Sequence, residues 1–176
     1  MPKGGGDIEK YGDIRFDYVW EKIEPDLVEE VKGFWASEDA LQGDEKEIEG
    51  RAKELIMVAR NEDKKIVGVN SASRINVRQL NNQVFYFYRV FVASDSRDKG
   101  LMMSLAHKSR EFFHKRYLSG EDTSAKGFYL AVESPILKKV QTDAVMVIGG
   151  IDHPFIGVDE RGRHMRVAWF GEATIG

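Results

Sequence analysis

Arg97, Lys99 and Gly100 stand close together in the stretch SRDKG, behind an apolar run and ahead of a helix-like one. Two cations beside a residue with no side chain suit an anionic ligand, because charge flanks a place where backbone can approach without a Cβ in the way. If the chain turns there into a helix, unpaired first-turn N–H groups and the positive end of the macrodipole converge on one spot. A phosphate fits such a spot. An ordinary strand-to-helix turn with solvated charges would use the same residue types. Neither G-x-x-x-x-G-K-[ST] nor G-x-G-x-x-G occurs in the chain, so readings as a nucleoside triphosphate or dinucleotide site have no support.

The flanking elements must supply that geometry. Residues 84–92 (VFYFYRVFV) are aromatic and β-branched over a length that suits a buried strand. From Leu101 the apolar positions Leu101, Leu105, Phe112 and Phe113 recur at helical spacing, with Lys108, Arg110, Lys115 and Arg116 on other faces; this predicts an amphipathic helix of about five turns. Upstream, residues 13–20 alternate as a half-buried strand does. Residues 21–36 then carry helical periodicity, with Pro25 at the start and Glu24, Asp26, Glu29 and Glu30 early. Residues 37–53 read as an acidic loop and a short second helix, and residues 54–59 and 65–77 as a hairpin with a bulge at Gly68. Downstream come a strand at 128–132, a short helix at 136–141, a strand at 144–148 broken by Gly149 and Gly150, and a last strand at 166–170. This order predicts an α+β layer: a mixed, mostly antiparallel sheet flanked by helices, one domain over residues 13–176 behind a flexible lead-in at 1–12.

Composition narrows the function classes. The 176 residues are 42% hydrophobic and 31% charged with a net charge of −3, an ordinary globular balance. The densest basic stretch, residues 108–116, reads as a helix face, so no nucleic-acid partner is expected. Cysteine is absent, which excludes thiolate chemistry and fits a reducing compartment. No apolar run is long enough to span a membrane and the N-terminus lacks a signal-peptide core, leaving the cytoplasm as the default address. His107 and His114 lie among Lys and Arg, and His153 and His164 lack partners at ligand spacing, so no metal is expected.

From Val90 the text V-F-V-A-S-D-S-R-D-K-G-L-M resembles the acyl-CoA-binding motif of the GNAT N-acetyltransferase superfamily: an apolar strand end, five residues to Gln or Arg, then x-x-G-x-Gly/Ala. Val92 stands at the strand end, Arg97 at the Gln/Arg position and Gly100 at the first Gly, while Met102 stands where members usually have Gly or Ala. The predicted element order is that of the GNAT fold as well. The resemblance implies acetyl-CoA as cosubstrate. Its pyrophosphate would be held by the amides of Asp98, Lys99, Gly100, Leu101, Met102 and Met103, and its pantetheine arm by the backbone of Val90, Phe91 and Val92. The arm would lie in a gap between Val92 and Val132.

Acetyl transfer to an amine also needs an amide donor for the developing oxyanion, a base for the ammonium proton and an acid for the thiolate. Many members place an Asn after the later strand and a Tyr further on; here Pro135 and Thr142 occupy roughly those positions, and no tyrosine follows Tyr129. For the base the candidates are Glu133, expected partly buried at its strand end, and Tyr86, where some members keep a catalytic Glu. Arg89, inside an apolar strand, either binds an acceptor carboxylate or pairs with one of the acids. The implied partners are a small-molecule or peptide amine and, in a homodimer, a second copy of the chain, with neither nucleic acid nor membrane. The acids of residues 24–49 would attract a cationic amine, or form no more than a soluble helix surface. The alternative to a transferase is a weak or inactive CoA-binding or sensing module of the same fold. A third reading is a plain interaction domain.

Overall fold

The computed structural model describes residues 13–140, 142–148 and 150–173, so the lead-in assigned to residues 1–12 lies outside the described residues. Eight strands and four α-helices follow in the order β1 (Arg15–Tyr18), α1 (Pro25–Ser37), α2 (Glu45–Ala52), β2 (Leu55–Arg60), β3 (Ile66–Val77), β4 (Gln83–Val92), α3 (Leu101–Leu118), β5 (Gly127–Val132), α4 (Pro135–Val140), β6 (Val145–Ile148), β7 (Ile151–Val158) and β8 (His164–Trp169). Two short 3₁₀ segments, Arg78–Leu80 and Ser94–Lys99, flank β4. The strands form one sheet in the order β1-β2-β3-β4-β5-β8-β7-β6. Its ladders are antiparallel from β1 to β3 and from β5 through β8 and β7 to β6, whereas β4 and β5 run parallel. This is the expected mixed, mostly antiparallel α+β sheet.

Two compact units share the chain: Met1–Ala72 with Arg89–Ser109, and Ser73–Tyr88 with Arg110–Gly176. In the first, α1 starts with Pro25 at its first turn, where the missing N–H costs nothing. It buries Val28, Val31, Phe34 and Trp35. Helix α2 is capped by Asp44, whose carboxylate accepts from the Glu47 amide at 2.8 Å. Strand β2 is buried along nearly its whole length, as its unbroken apolar run requires. The bulge expected at Gly68 falls next to it: Ala59 pairs with Gly68 and Arg60 with Ile66, so Val67 is the extra residue.

In the second unit the alternation of β4 sends Phe85 and Phe87 to one face and Tyr86 and Tyr88 to the other. Phe85 meets Trp169 edge-on at 5.1 Å, in a cluster with Val77, Leu80, Tyr129, Met165 and Val167. Tyr86 meets Phe113 at 4.3 Å, and Tyr88 stacks on Phe128 at 5.0 Å.

Strand β7 is the one element the sequence reading lacks. His153-Pro154 and Gly157 argue against a strand, since Pro cannot donate to a ladder and Gly weakens one. The structure accommodates both. Pro154 pairs with Val145 of β6, and Gly157, at φ +143°, sits at the register shift against β8. The edge is tied by Arg166, 2% exposed, which donates to the carbonyls of His153 and Asp143, each at 2.8 Å.

Candidate functional site

The turn after β4 is built by backbone. The bulge at Val67 leaves its carbonyl outside the β2 ladder, and the Ala93 amide donates to it at 2.8 Å. The Ser94 amide donates to the Glu38 carboxylate at 3.0 Å, and the Ser96 amide to the Ala93 carbonyl at 2.9 Å. The 3₁₀ segment then ends on Gly100 at φ 69° and ψ 11°, a left-handed conformation that would cost a side-chain-bearing residue roughly 1–2 kcal/mol. That conformation swings the chain into α3. The Ser104 amide reaches the Gly100 carbonyl at 3.1 Å, so the amides of Leu101, Met102 and Met103 precede this i−4 bond, at the positive end of a helix with no acid in its first turn.

The start of α3 is fixed from below. Leu101 and Leu105 are buried on β3, where a Cβ at Gly68 would lie 3.0 Å from the Leu105 Cδ1 and 3.4 Å from the Leu101 Cδ2. Glycine is what allows helix and strand this close. The buried Asn70 donates to the Leu105 carbonyl at 3.1 Å and to the Ser109 hydroxyl, and accepts from the Met57 amide at 3.0 Å. It pins a second irregularity of β2 to the helix. Lys108, expected on a solvated face, is buried with its ammonium 5.1 Å over the Phe16 ring.

Arg97 does not stand out in front of these amides. Its Nε donates to the Val92 carbonyl at 3.1 Å and its guanidinium lies 5.4 Å over Phe91, which packs edge-on against Phe34 at 5.7 Å. The cation therefore folds back along β4. Met102 and Met103 are 42% and 47% exposed at the helix start, and the side chains of Asp98 and Lys99 lie outside the described residues.

One strand position earlier on that face, Arg89 donates to Glu54 at 2.8 Å. Of the two roles expected for Arg89, pairing with an acid is the one the structure contains. Burial raises the Glu54 carboxyl above the usual range, against the pull of Arg89 and Arg51, and burial lowers Arg89. Nothing in the local sequence marks Glu54, since its partner lies 35 residues away.

In the second unit Tyr86 is 1% exposed and donates its hydroxyl to Asp122. Arg74 donates to both at 3.2 and 3.1 Å and to the Ser124 hydroxyl at 2.8 Å. Burial, and then the Asp122 hydrogen bond, push the phenol up to about 12. A phenol raised in this way holds its proton at neutral pH and shares it in a hydrogen bond with the Asp122 carboxylate, which ties Tyr86 to the loop after α3. Glu133, expected to be partly buried, is 70% exposed, with Arg163 at 3.5 Å. It sits two residues before Pro135, which opens α4. Among the described residues no group of three or more His, Asp or Glu could hold a metal, and no helix is long and apolar enough to cross a membrane.

No protein-family model and no curated protein matches the sequence. Solved structures do resemble the fold. Arabidopsis thaliana NAA60, in complex with acetyl-CoA, is 11% identical, with 90% of this chain and 99% of that one covered at a TM-score of 0.56. The GNAT-family acetyltransferase from Streptococcus pneumoniae is 16% identical, covering 93% and 100% at 0.52. A chain of the NatC complex bound to Gag peptide and CoA is 10% identical, covering 90% and 99% at 0.55. At such identities the likeness establishes the fold.

Proposed function

From a chain with the fold of the GNAT acetyltransferases, we propose an acetyl-CoA-dependent N-acetyltransferase that moves the acetyl group directly to a primary amine. The observation that carries this is the Gly100 turn. Left-handed backbone there turns the chain into α3 and leaves its first amides ahead of the Ser104–Gly100 bond, at the turn where the motif it resembles holds a pyrophosphate. The donor set fits the group through its main chain, because a diphosphate is met by the first N–H groups of a helix, while the Arg97 guanidinium lies back over Phe91. In this reading the backbone of Val90, Phe91 and Val92 holds the pantetheine arm, and the amides of Asp98, Lys99, Gly100, Leu101, Met102 and Met103 hold the pyrophosphate.

Acetyl-CoA, when bound, supplies a thioester carbonyl carbon that an amine nitrogen can attack, with the C–S bond breaking and the thiol leaving. For the acceptor, a cleft beside the start of α1 and the end of α2 is lined by Glu21, Glu29 and Glu49 over Ile23 and Val28, with one cation, Lys53. Glu29 is bridged to Lys32 and Glu49 to Lys53, and a cationic amine, either a small molecule or a peptide N-terminus, would exchange with those lysines at the carboxylates. NatC bound to a peptide on this fold supports the latter.

Two features favour the alternative, a CoA-binding module without turnover: Met102 where a small residue is usual, and the absence of a tyrosine after Tyr129. Calorimetric titration with acetyl-CoA beside thiol release on a panel of primary amines separates the readings. Binding with thiol release supports the transferase, binding alone supports the module, and absence of binding leaves the fold as a scaffold. Arg97→Ala combined with Gly100→Ala should abolish the binding, and unchanged affinity would remove the pyrophosphate from this turn.

A further inference from the structure

The reaction proposed above needs a carboxylate partly withdrawn from water, yet reachable, to deprotonate the incoming ammonium. Most carboxylates of the described residues with a displaced titration lie on the wrong side of that requirement. Hydrogen-bonded partners hold Glu30, Glu49, Asp122 and Asp159 below the usual range, and Glu62 is raised chiefly by its hydrogen bond with Asp13 in an exposed setting. Glu54 differs in kind, because burial is what displaces it and it does so upward.

Its position agrees with the role. Glu54 links α2 to β2 and is fixed at both ends, its carbonyl accepting from the Ala72 amide at 3.0 Å and its carboxylate from Arg89 at 2.8 Å. The side chain is nevertheless 38% exposed, open to a ligand. Arg89 and Phe91 alternate onto one face of β4, roughly 7 Å apart, and Arg97 covers Phe91. The carboxylate is thus anchored on the strand face that the turn's own cation occupies, one residue ahead of Val90. The charged groups that face it are Arg89 from β4 and Arg51 from α2.

We infer that Glu54, oriented by Arg89, takes the proton from the acceptor ammonium. This rests on the acetyl-transfer reading. The step balances: R–NH₃⁺ gives one proton to the carboxylate, the freed nitrogen lone pair forms the N–C bond as the C–S bond breaks, the second proton, left on that nitrogen, passes through water to the thiolate to give neutral amide and thiol, and Glu54 returns its own proton to solvent.

The test is Glu54→Gln beside wild type, with an amine that wild type turns over, following thiol release from about pH 6 to about pH 10. At neutral pH kcat/KM for the amine should fall about a hundredfold, while acetyl-CoA affinity by calorimetry stays unchanged. The deficit should close as the pH approaches the pKa of the amine, which then arrives deprotonated. If Glu54→Gln fails to fold, Arg89→Met serves instead. Losing the guanidinium should move the acidic limb of the rate profile to higher pH at unchanged acetyl-CoA affinity. A Glu54→Gln enzyme with the wild-type rate and profile, or an unmoved limb in Arg89→Met, overturns Glu54 alone. Thiol release on no amine by wild type removes the transfer reading, and Glu54 with it.

Discussion

Replacing Asp122 by Asn removes one charge from a site that holds the loop after α3 to the second unit's sheet. Burial by itself would raise the Asp122 carboxyl, but hydrogen bonds from Ser124 and Tyr86 and the nearby Arg74 guanidinium hold it at about 2, against an ordinary value of 3.8. At about 1.36 kcal/mol per pH unit that difference corresponds to ~2.4 kcal/mol at neutral pH. Arg74 is 45% exposed and water screens its share, although the carboxylate itself is only 10% exposed, so about 1–2 kcal/mol is expected. Because the folded-state value is depressed, the contribution is complete above the unfolded value near 3.8 and is lost as pH falls through about 2. Thermal melts of wild type and Asp122→Asn between about pH 7 and the lowest pH at which wild type stays folded test this. The variant should melt roughly 2–8 °C lower at pH 7, with the gap closing below about pH 4 as the wild-type carboxylate is protonated. Equal melting at pH 7, or a gap that does not shrink with acid, would refute the electrostatic account of this site.

Two glycines should respond in opposite directions. A Cβ at Gly127 would run into the Ala168 carbonyl of β8, backbone that cannot swing aside, so Gly127→Ala should cost ~3 kcal/mol or more in urea unfolding; a loss under ~1 kcal/mol would mean the strands separate easily. Gly33, inside α1, has nothing within 4 Å of its added Cβ, and Gly33→Ala should raise stability by about 0.5–1 kcal/mol. A destabilised Gly33→Ala would show that α1 needs the glycine for a reason other than helix geometry.

What could be read in advance was what depends on neighbours in the chain. The run from Val84 to Leu118 declares strand, turn and helix through its own periodicity. Pro25 marks a helix start because its φ and missing N–H suit that position whatever lies around it. The R-x-x-G spacing likewise announces a turn, and Gly100 occupies the left-handed conformation that a glycine there makes cheap. Strand β7 was hidden because its Pro and Gly are tolerable only once β6 and β8 flank it, with Pro154 registered against Val145 of β6 and Gly157 placed at the shift against β8.

The site's side chains were the least legible part. Arg97 has the residue type of a phosphate ligand, yet its direction is set by the Val92 carbonyl and the Phe91 ring, both of which require β4 to be in place. Tyr86 is a candidate base by position, and its hydroxyl partner, Asp122, lies 36 residues on, beyond the reach of any local pattern.

Sequence alone determined the order of elements apart from β7, the mixed sheet and the strand, turn and helix around Gly100, since each follows from propensity and spacing over a few consecutive residues. Tertiary structure decided which charges are paired and which carboxylate is withheld from water. Glu54 and Arg89 become partners only when β2 and β4 enter the same unit, and burial, which moves their protonation, is a property of everything packed around a group and of nothing written beside it.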